Sequence, residues 1–117
     1  MRAAEPLADA IGRVRDLVHE VVDGLTPTEL AARPGPDANH IGWLVWHLTR
    51  VQDGHVSELV GEPQLYLTAG FADALGLPAD EHDSGWGHTS AQVAAVRIDD
   101  VPALLAYHDA VAERSLG

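Results

Sequence analysis

The chain has 117 residues, 46% of them hydrophobic, which suffices for one domain with a modest core. Its formal net charge of −11 argues against nucleic acid and anionic membrane surfaces as partners, since both need basic neutralisation, while it draws cations over long range. No cysteine is present. Disulfides, thiolate metal sites and cysteine nucleophiles are therefore excluded together, any metal must be held by His, Asp or Glu, and any thiol must come from outside.

In chain order, the first predicted element is a helix over residues 5–24. Pro6 suits its first turn, and Leu7, Ile11, Val14, Leu17, Val18, Val21 and Val22 fall on one face at helical spacing. His19 and Asp23 lie toward its solvent side and read as an exposed helix pair. Thr26 to Leu30 reads as a short capped turn. Arg33-Pro34-Gly35-Pro36-Asp37 is a stiff connector.

The second long helix is predicted over 40–61, with Asn39 as its N-cap and Gly61 as its stop. At about 100° per residue it carries two stripes that read as buried. One is aliphatic: Ile41, Leu44, Val45, Leu48, Val51 and Leu59. The other holds His40, Trp43, His47, Arg50 and Gly54. Trp46, Thr49, Asp53 and Ser57 are left as a narrow solvent strip. A surface helix needs one apolar stripe, so the second marks this helix as the wall of a site.

Residues 62–88 form a long irregular stretch with apolar anchors at Leu65 to Leu67 and Phe71 to Leu75. Loops of this length often cover or build a site. Ala91 to Val96 is either a short helix or an extended segment. Asp99 or Asp100 caps a last helix over 100–115, whose Val101, Leu104, Leu105, His108, Val111 and Ala112 share one face. The pattern is all-α: three amphipathic helices with a long crossover, resembling a four-helix bundle with one helix missing. No apolar run approaches the roughly 18 residues that span a bilayer, and Met1-Arg2-Ala3-Ala4-Glu5-Pro6 lacks a signal peptide's apolar region. The expectation is a cytoplasmic protein, and its Arg-only basic set with abundant Ala, Val and Gly reads as a bacterial coding bias.

The histidines are the candidate chemistry. No His-x-x-x-His or His-Glu-x-x-His spacing occurs. His47, between Trp43 and Arg50, is the candidate metal ligand, against the alternative of a core histidine bonded to a neighbouring helix. His55 lies about 12 Å further along the helix axis and reads as a buried structural histidine. His108 sits on the apolar face of the last helix and could approach either. In Asp80-Glu81-His82-Asp83-Ser84-Gly85-Trp86-Gly87-His88, Trp86 between two glycines reads as an aromatic that closes over a pocket. No serine elbow, phosphate-cradling loop or catalytic carboxylate pair is present.

Ile41-Gly42-Trp43-Leu44-Val45-Trp46-His47-Leu48-Thr49-Arg50, Gly85-Trp86-Gly87-His88-Thr89 and Gln92-Val93-Ala94-Ala95-Val96-Arg97 resemble the DinB-like superfamily. The resemblance is greatest to its branch of mycothiol-dependent and maleylpyruvate-isomerase-like proteins. It implies an up-down-down-up four-helix bundle around a divalent metal, zinc or nickel, with His47 as the ligand from the second helix; on this chain's own residues, His55 or His108 is the candidate second ligand or supporting partner. It further implies a low-molecular-weight thiol such as mycothiol, activated on the metal and transferred to or from an electrophilic substrate. Trp43, Trp46, Trp86 and His88 would shape the pocket, and Arg50 would orient a carboxylate. The ligands this family takes from its fourth helix have no counterpart here. The chain reads as a DinB-like bundle truncated to three main helices: a fragment, a protomer completed by a second copy, or a shortened relative without metal. The implied function is a metal- and thiol-dependent transferase or isomerase. The alternative is a non-catalytic bundle for oligomerisation or small-molecule binding, and a homodimer is expected from its open apolar flank.

Overall fold

A computed structural model describes residues 4–33, 35 and 38–116, and among them it is all-helical. The helices are α1 (Ala4–Val22), α2 (Pro27–Leu30), α3 (Ile41–Val60), α4 (Leu65–Thr68), α5 (Phe71–Leu75), α6 (Ser90–Ala95) and α7 (Val101–Leu116). Pro34, Pro36 and Asp37 of the predicted connector lie outside the described residues. No described helix is long and apolar enough to cross a membrane.

α7 is the central element and packs against both α1 and α3. Arg15 of α1 reaches Glu113 while His19 reaches Asp109, so the numbering runs in opposite senses and α1 and α7 are antiparallel. Thr49 of α3 meets His108, and Ser57 meets Arg114, so α3 and α7 run the same way. The order is therefore up-down-down. Two parallel neighbours need a chain return from one end of the bundle to the other, which is why a long crossover separates α3 from α7. It is less irregular than expected, since α4 and α5 form inside it. The segment left open at Ala91 to Val96 is helical, opened by Thr89 and Gln92 in a capping box. A second box, Thr26 with Glu29, opens α2, and Asp100 accepts the Ala103 N–H at 3.0 Å to start α7. His19 is not part of an exposed pair with Asp23, because its ring reaches across to Asp109 at 2.7 Å.

Two sequence expectations on α3 are overturned. The N-cap is His40, whose Nδ1 accepts the Trp43 N–H at 2.9 Å while Nε2–H donates to the Val93 carbonyl at 2.9 Å. An imidazole with one bare nitrogen caps as well as an amide, and here it also ties α3 to α6. The larger correction concerns the phase of the helix. Trp46, Thr49, Asp53 and Ser57, assigned to solvent, are at most 1% exposed. Leu44 and Leu59 of the aliphatic stripe are 46% and 85% exposed. Hydrophobicity periodicity cannot see partners supplied by other elements. The polar residues of this strip are buried because the crossover and α7 satisfy them.

Asp53 is the centre of that arrangement. Its Oδ1 accepts from Ser57 Oγ and the Leu65 N–H, both at 3.0 Å. Its Oδ2 accepts from the Tyr66 N–H at 2.9 Å and the Tyr107 hydroxyl at 2.7 Å. Arg50, equally buried, lies 3.9 Å away with its guanidinium 4.0 Å over the Tyr66 ring. Tyr107 stacks obliquely on Tyr66 and Phe71. Burial, and then the Asp53 carboxylate, push its phenol above the usual range, so it remains a donor.

On the side between α1 and α3 the bundle is open. A groove of about 370 Å³ there is lined by Leu7, Ile11, Val56, Leu59 and Val60, with His55 and Arg114 among its polar members. The predicted apolar face of α1 is only partly used: Val18 and Val22 are buried, whereas Leu7, Val14, Leu17 and Val21 are exposed.

Removing one member of a buried ionic pair strands the other. Asp53→Ala is expected to lower the unfolding free energy by about 3–5 kcal/mol, read by urea denaturation. Asp9→Ala, which breaks the exposed pair with Arg13, should change it by less than about 1 kcal/mol. Equal effects would contradict this account.

Candidate functional site

The predicted site residues gather where the first half of α3 meets the turn at Asp83 to His88. Trp43 and His47, one helical turn apart, stack face to face with ring centroids 4.7 Å apart and planes inclined by 16°. The His47 Nδ1 is hydrogen-bonded to the Ser84 carbonyl. A carbonyl can only accept, so Nδ1 carries the proton and Nε2 presents its lone pair. This is the tautomer in which histidine binds metals, with the far nitrogen held by a backbone oxygen.

His88 is committed on both sides. The Trp43 indole N–H donates to its Nδ1 at 3.1 Å, and its Nε2–H donates to Asp83 Oδ1 at 2.8 Å. The same carboxylate oxygen accepts the Gly85 N–H at 3.2 Å. His88 also lies against Trp46, centroids 5.8 Å apart. This Asp83–His88–Trp43 relay fixes the indole on which His47 rests, but leaves His88 no lone pair for a ligand. The sequence placed His88 among the pocket-shaping residues and gave no sign of this relay. The Gly85-Trp86-Gly87-His88 spacing was the one signal of the turn itself.

Gly85 makes the turn fit. It is buried with φ +90°, and a Cβ there would lie 3.0 Å from both the Trp43 and Trp46 rings and 3.1 Å from His47 Nδ1. Trp86, expected to close over a pocket, is 88% exposed.

Arg50 faces inward to the protein's own chain. Its Nε donates to the Asp83 carbonyl at 3.0 Å, Nη1 to Gln64 Oε1 at 2.6 Å, and Nη2 to the Asp80 and Glu81 carbonyls at 3.0 and 3.2 Å. The guanidinium that was expected to orient a bound carboxylate instead clamps the loop carrying Asp83 and Ser84. Trp46 is fully buried, and its Nε1 finds no hydrogen-bond partner among the described residues.

His55 and His108 do not join His47. His55 is exposed at the open groove, contrary to the expectation of a buried histidine, because two residues along the helix it is Ser57 that is turned to α7, in contact with Arg114, which leaves His55 on the other side. His108 is buried. The Thr49 hydroxyl donates to the Val45 carbonyl at 2.7 Å and so accepts from His108 Nδ1 at 3.0 Å. That leaves the His108 Nε2 unpartnered among the described residues. Burial lowers the affinity of this ring for a proton. Asp109 opposes that effect, while His19 and Arg15 add to it. No group of three or more His, Asp or Glu side chains that could hold a metal forms among the described residues.

Two predictions follow from this geometry. Gly85→Ala combines left-handed strain with overlap on three rings and should cost about 2–4 kcal/mol with a shift in tryptophan emission. Gly87→Ala, at φ +74° with nothing near its Cβ position, should cost only about 1 kcal/mol. Because His108 is held neutral when folded, the unfolded chain takes up its proton first as pH falls below the ordinary value of 6.5. Stability is therefore full above that pH and lost as pH falls toward the lowered folded value. His108→Gln should flatten this limb of the stability–pH curve, and an unchanged limb would refute the assignment.

Comparison with known proteins agrees with the fold. The chain is similar to a solved structure from Enterococcus faecalis, described as the conserved protein of a locus, with 25% sequence identity and a TM-score of 0.87. The match covers 98% of this chain and 68% of that one. No curated protein sequence gives a significant match. A family model described as the DinB superfamily matches residues 10–117. By that match over nearly its whole length, the chain belongs to the DinB superfamily.

Proposed function

We propose that this chain carries one ligand of a divalent-metal site of the mycothiol-dependent, maleylpyruvate-isomerase-like kind, with His47 as that ligand and zinc or nickel as the metal. The observation that supports the reading is the His47 tautomer. Ser84 holds the Nδ1 proton, Trp43 fixes the ring plane, and Nε2 is the nitrogen available to coordinate. His88 and Asp83 take no ligand role in this reading and act as positioning residues for Trp43. Arg50 acts the same way for the loop that supplies the Ser84 carbonyl.

The fit is that of a single ligand. With no three-donor cluster among the described residues, the other donors would come from outside them: further chain, a second protomer, or the thiol itself. A metal so held would lower the pKa of a bound low-molecular-weight thiol until the thiolate forms near neutral pH, as a cysteine-free cytoplasmic transferase or isomerase acting on an electrophile requires.

A second reading, a non-catalytic bundle for small-molecule binding or assembly, is favoured by the incomplete donor set. Elemental analysis of the purified untagged chain separates the two. Near-stoichiometric zinc or nickel, lost in His47→Ala while the circular dichroism spectrum stays helical, is the outcome expected here. A metal-free chain, or equal metal in the variant, would move the assignment to the second reading.

A further inference from the structure

A cavity of about 150 Å³ lies between the crossover and α6. It shares no lining residue with the open groove between α1 and α3. Its walls are apolar at Leu77, Pro78, Ala95 and Val96, and polar at Asp83 and His88. Gln92 stands beside them, but its Oε1 is taken by the Thr89 N–H at 2.8 Å in the cap of α6.

The state of Asp83 identifies what the cavity takes. Its Oδ1 accepts two hydrogen bonds, from His88 Nε2–H at 2.8 Å and from the Gly85 N–H at 3.2 Å. Its Oδ2 accepts none among the described residues. The His88 ring does not neutralise the carboxylate, because its Nδ1 accepts from the Trp43 indole and so carries no proton. Arg50 does not neutralise it either. The Arg50 Nε bonds the Asp83 backbone carbonyl, and the carboxylate beside its guanidinium is that of Asp53. Asp83 is therefore a part-buried anion, its side chain 32% exposed, held by His88, Gly85 and Arg50 but paired with no cation. A charge drawn partly out of water is costly until it is paired. An acceptor already fixed in place loses little freedom when a donor arrives.

The rest of the lining sets the shape of the cation. A hard metal ion takes about six or more oxygen ligands, and here it would meet one carboxylate among aliphatic walls. Those walls suit a hydrocarbon chain instead. A cavity of this volume admits a molecule of roughly benzene's size, so an ammonium on about four carbons fits within it. The net charge of −11 concentrates cations of any kind near the surface.

We propose that this cavity binds a primary ammonium ion on a short alkyl chain, with the ammonium on Asp83 Oδ2 and the chain against Leu77, Pro78, Ala95 and Val96. The site rests on Asp83 and its neighbours alone and stands apart from the metal reading.

Titration of the intact chain with n-butylammonium chloride tests it. Binding is followed by the NMR signals of the Leu77 methyls and of the Trp43 indole N–H, which His88 links to Asp83. Both signals shift and saturate. n-Butanol, which has the chain without the charge, binds about tenfold more weakly or less, and sodium chloride at equal concentration does not reproduce the shifts. Asp83→Asn keeps an acceptor for His88 and Gly85 but turns the open oxygen into an N–H donor, and it weakens butylammonium binding by about tenfold or more. Ala95→Leu, at an exposed position, fills the cavity without touching the carboxylate and also weakens binding, so the test does not hang on the fold of the Asp83 variant. Nα-acetyl-lysine methylamide carries the same head group and separates two sources. Tighter binding of butylammonium assigns the site to a free amine, and tighter binding of the lysine derivative assigns it to a lysine side chain. Equal binding of butanol and butylammonium, shifts reproduced by sodium chloride, or binding unchanged in Ala95→Leu would overturn the proposal. So would the absence of any saturable shift.

Discussion

A carboxylate in the middle of a helical bundle is the constraint on which this structure depends. Asp53 is tolerated there because four donors and a guanidinium surround it. Ser57 and Arg50 share α3 with it, and the other partners come from the crossover and α7. The Leu65 and Tyr66 N–H groups start α4, Tyr107 belongs to α7, and Arg50 on α3 spends its remaining donors on the loop carbonyls of Asp80, Glu81 and Asp83. The pair is poor as a simple source of stability, because desolvating two charges offsets most of their attraction. Its value is geometric. It is the reason the crossover has one conformation, and so the reason Ser84 and His88 stand where they meet α3.

The candidate site is thus built at two removes. His47 owes its tautomer to Ser84, its ring plane to Trp43, and Trp43 its own orientation to His88 and Asp83. All of these depend on a loop clamped by Arg50. Such layered support is what a coordinating imidazole needs, since ligand orientation is set by what the other ring nitrogen touches.

Much of the fold was legible from the chain alone. The three long helices and the all-α bundle follow from apolar spacing, and the family resemblance lay in the residues around Trp43 and His47. What failed did so for a shared reason. Thr49, Asp53 and Ser57 look like solvent residues to any hydrophobicity count, and only partners far away in sequence make them core. The reverse error placed Leu44, Leu59 and His55 inside, because an aliphatic stripe says that something should cover it and not that this chain does. Arg50 was correctly singled out as unusual but assigned to a ligand, since spacing cannot show a backbone carbonyl. The Asp83–His88–Trp43 relay was out of reach for the same reason.

The parallel arrangement of α3 and α7 has a consequence for how the chain finds its fold. Helices that run the same way cannot meet through a tight turn, and pairings distant in sequence are slow because the intervening chain must first surrender its freedom. Here Asp53 is bonded to Leu65 and Tyr66, 12 and 13 residues further on, as well as to Tyr107, 54 residues further on. The shorter closures cost less chain entropy than the long one, and they end on the Tyr66 ring against which Tyr107 packs. The long closure between α3 and α7 is thereby divided at a point that both helices touch.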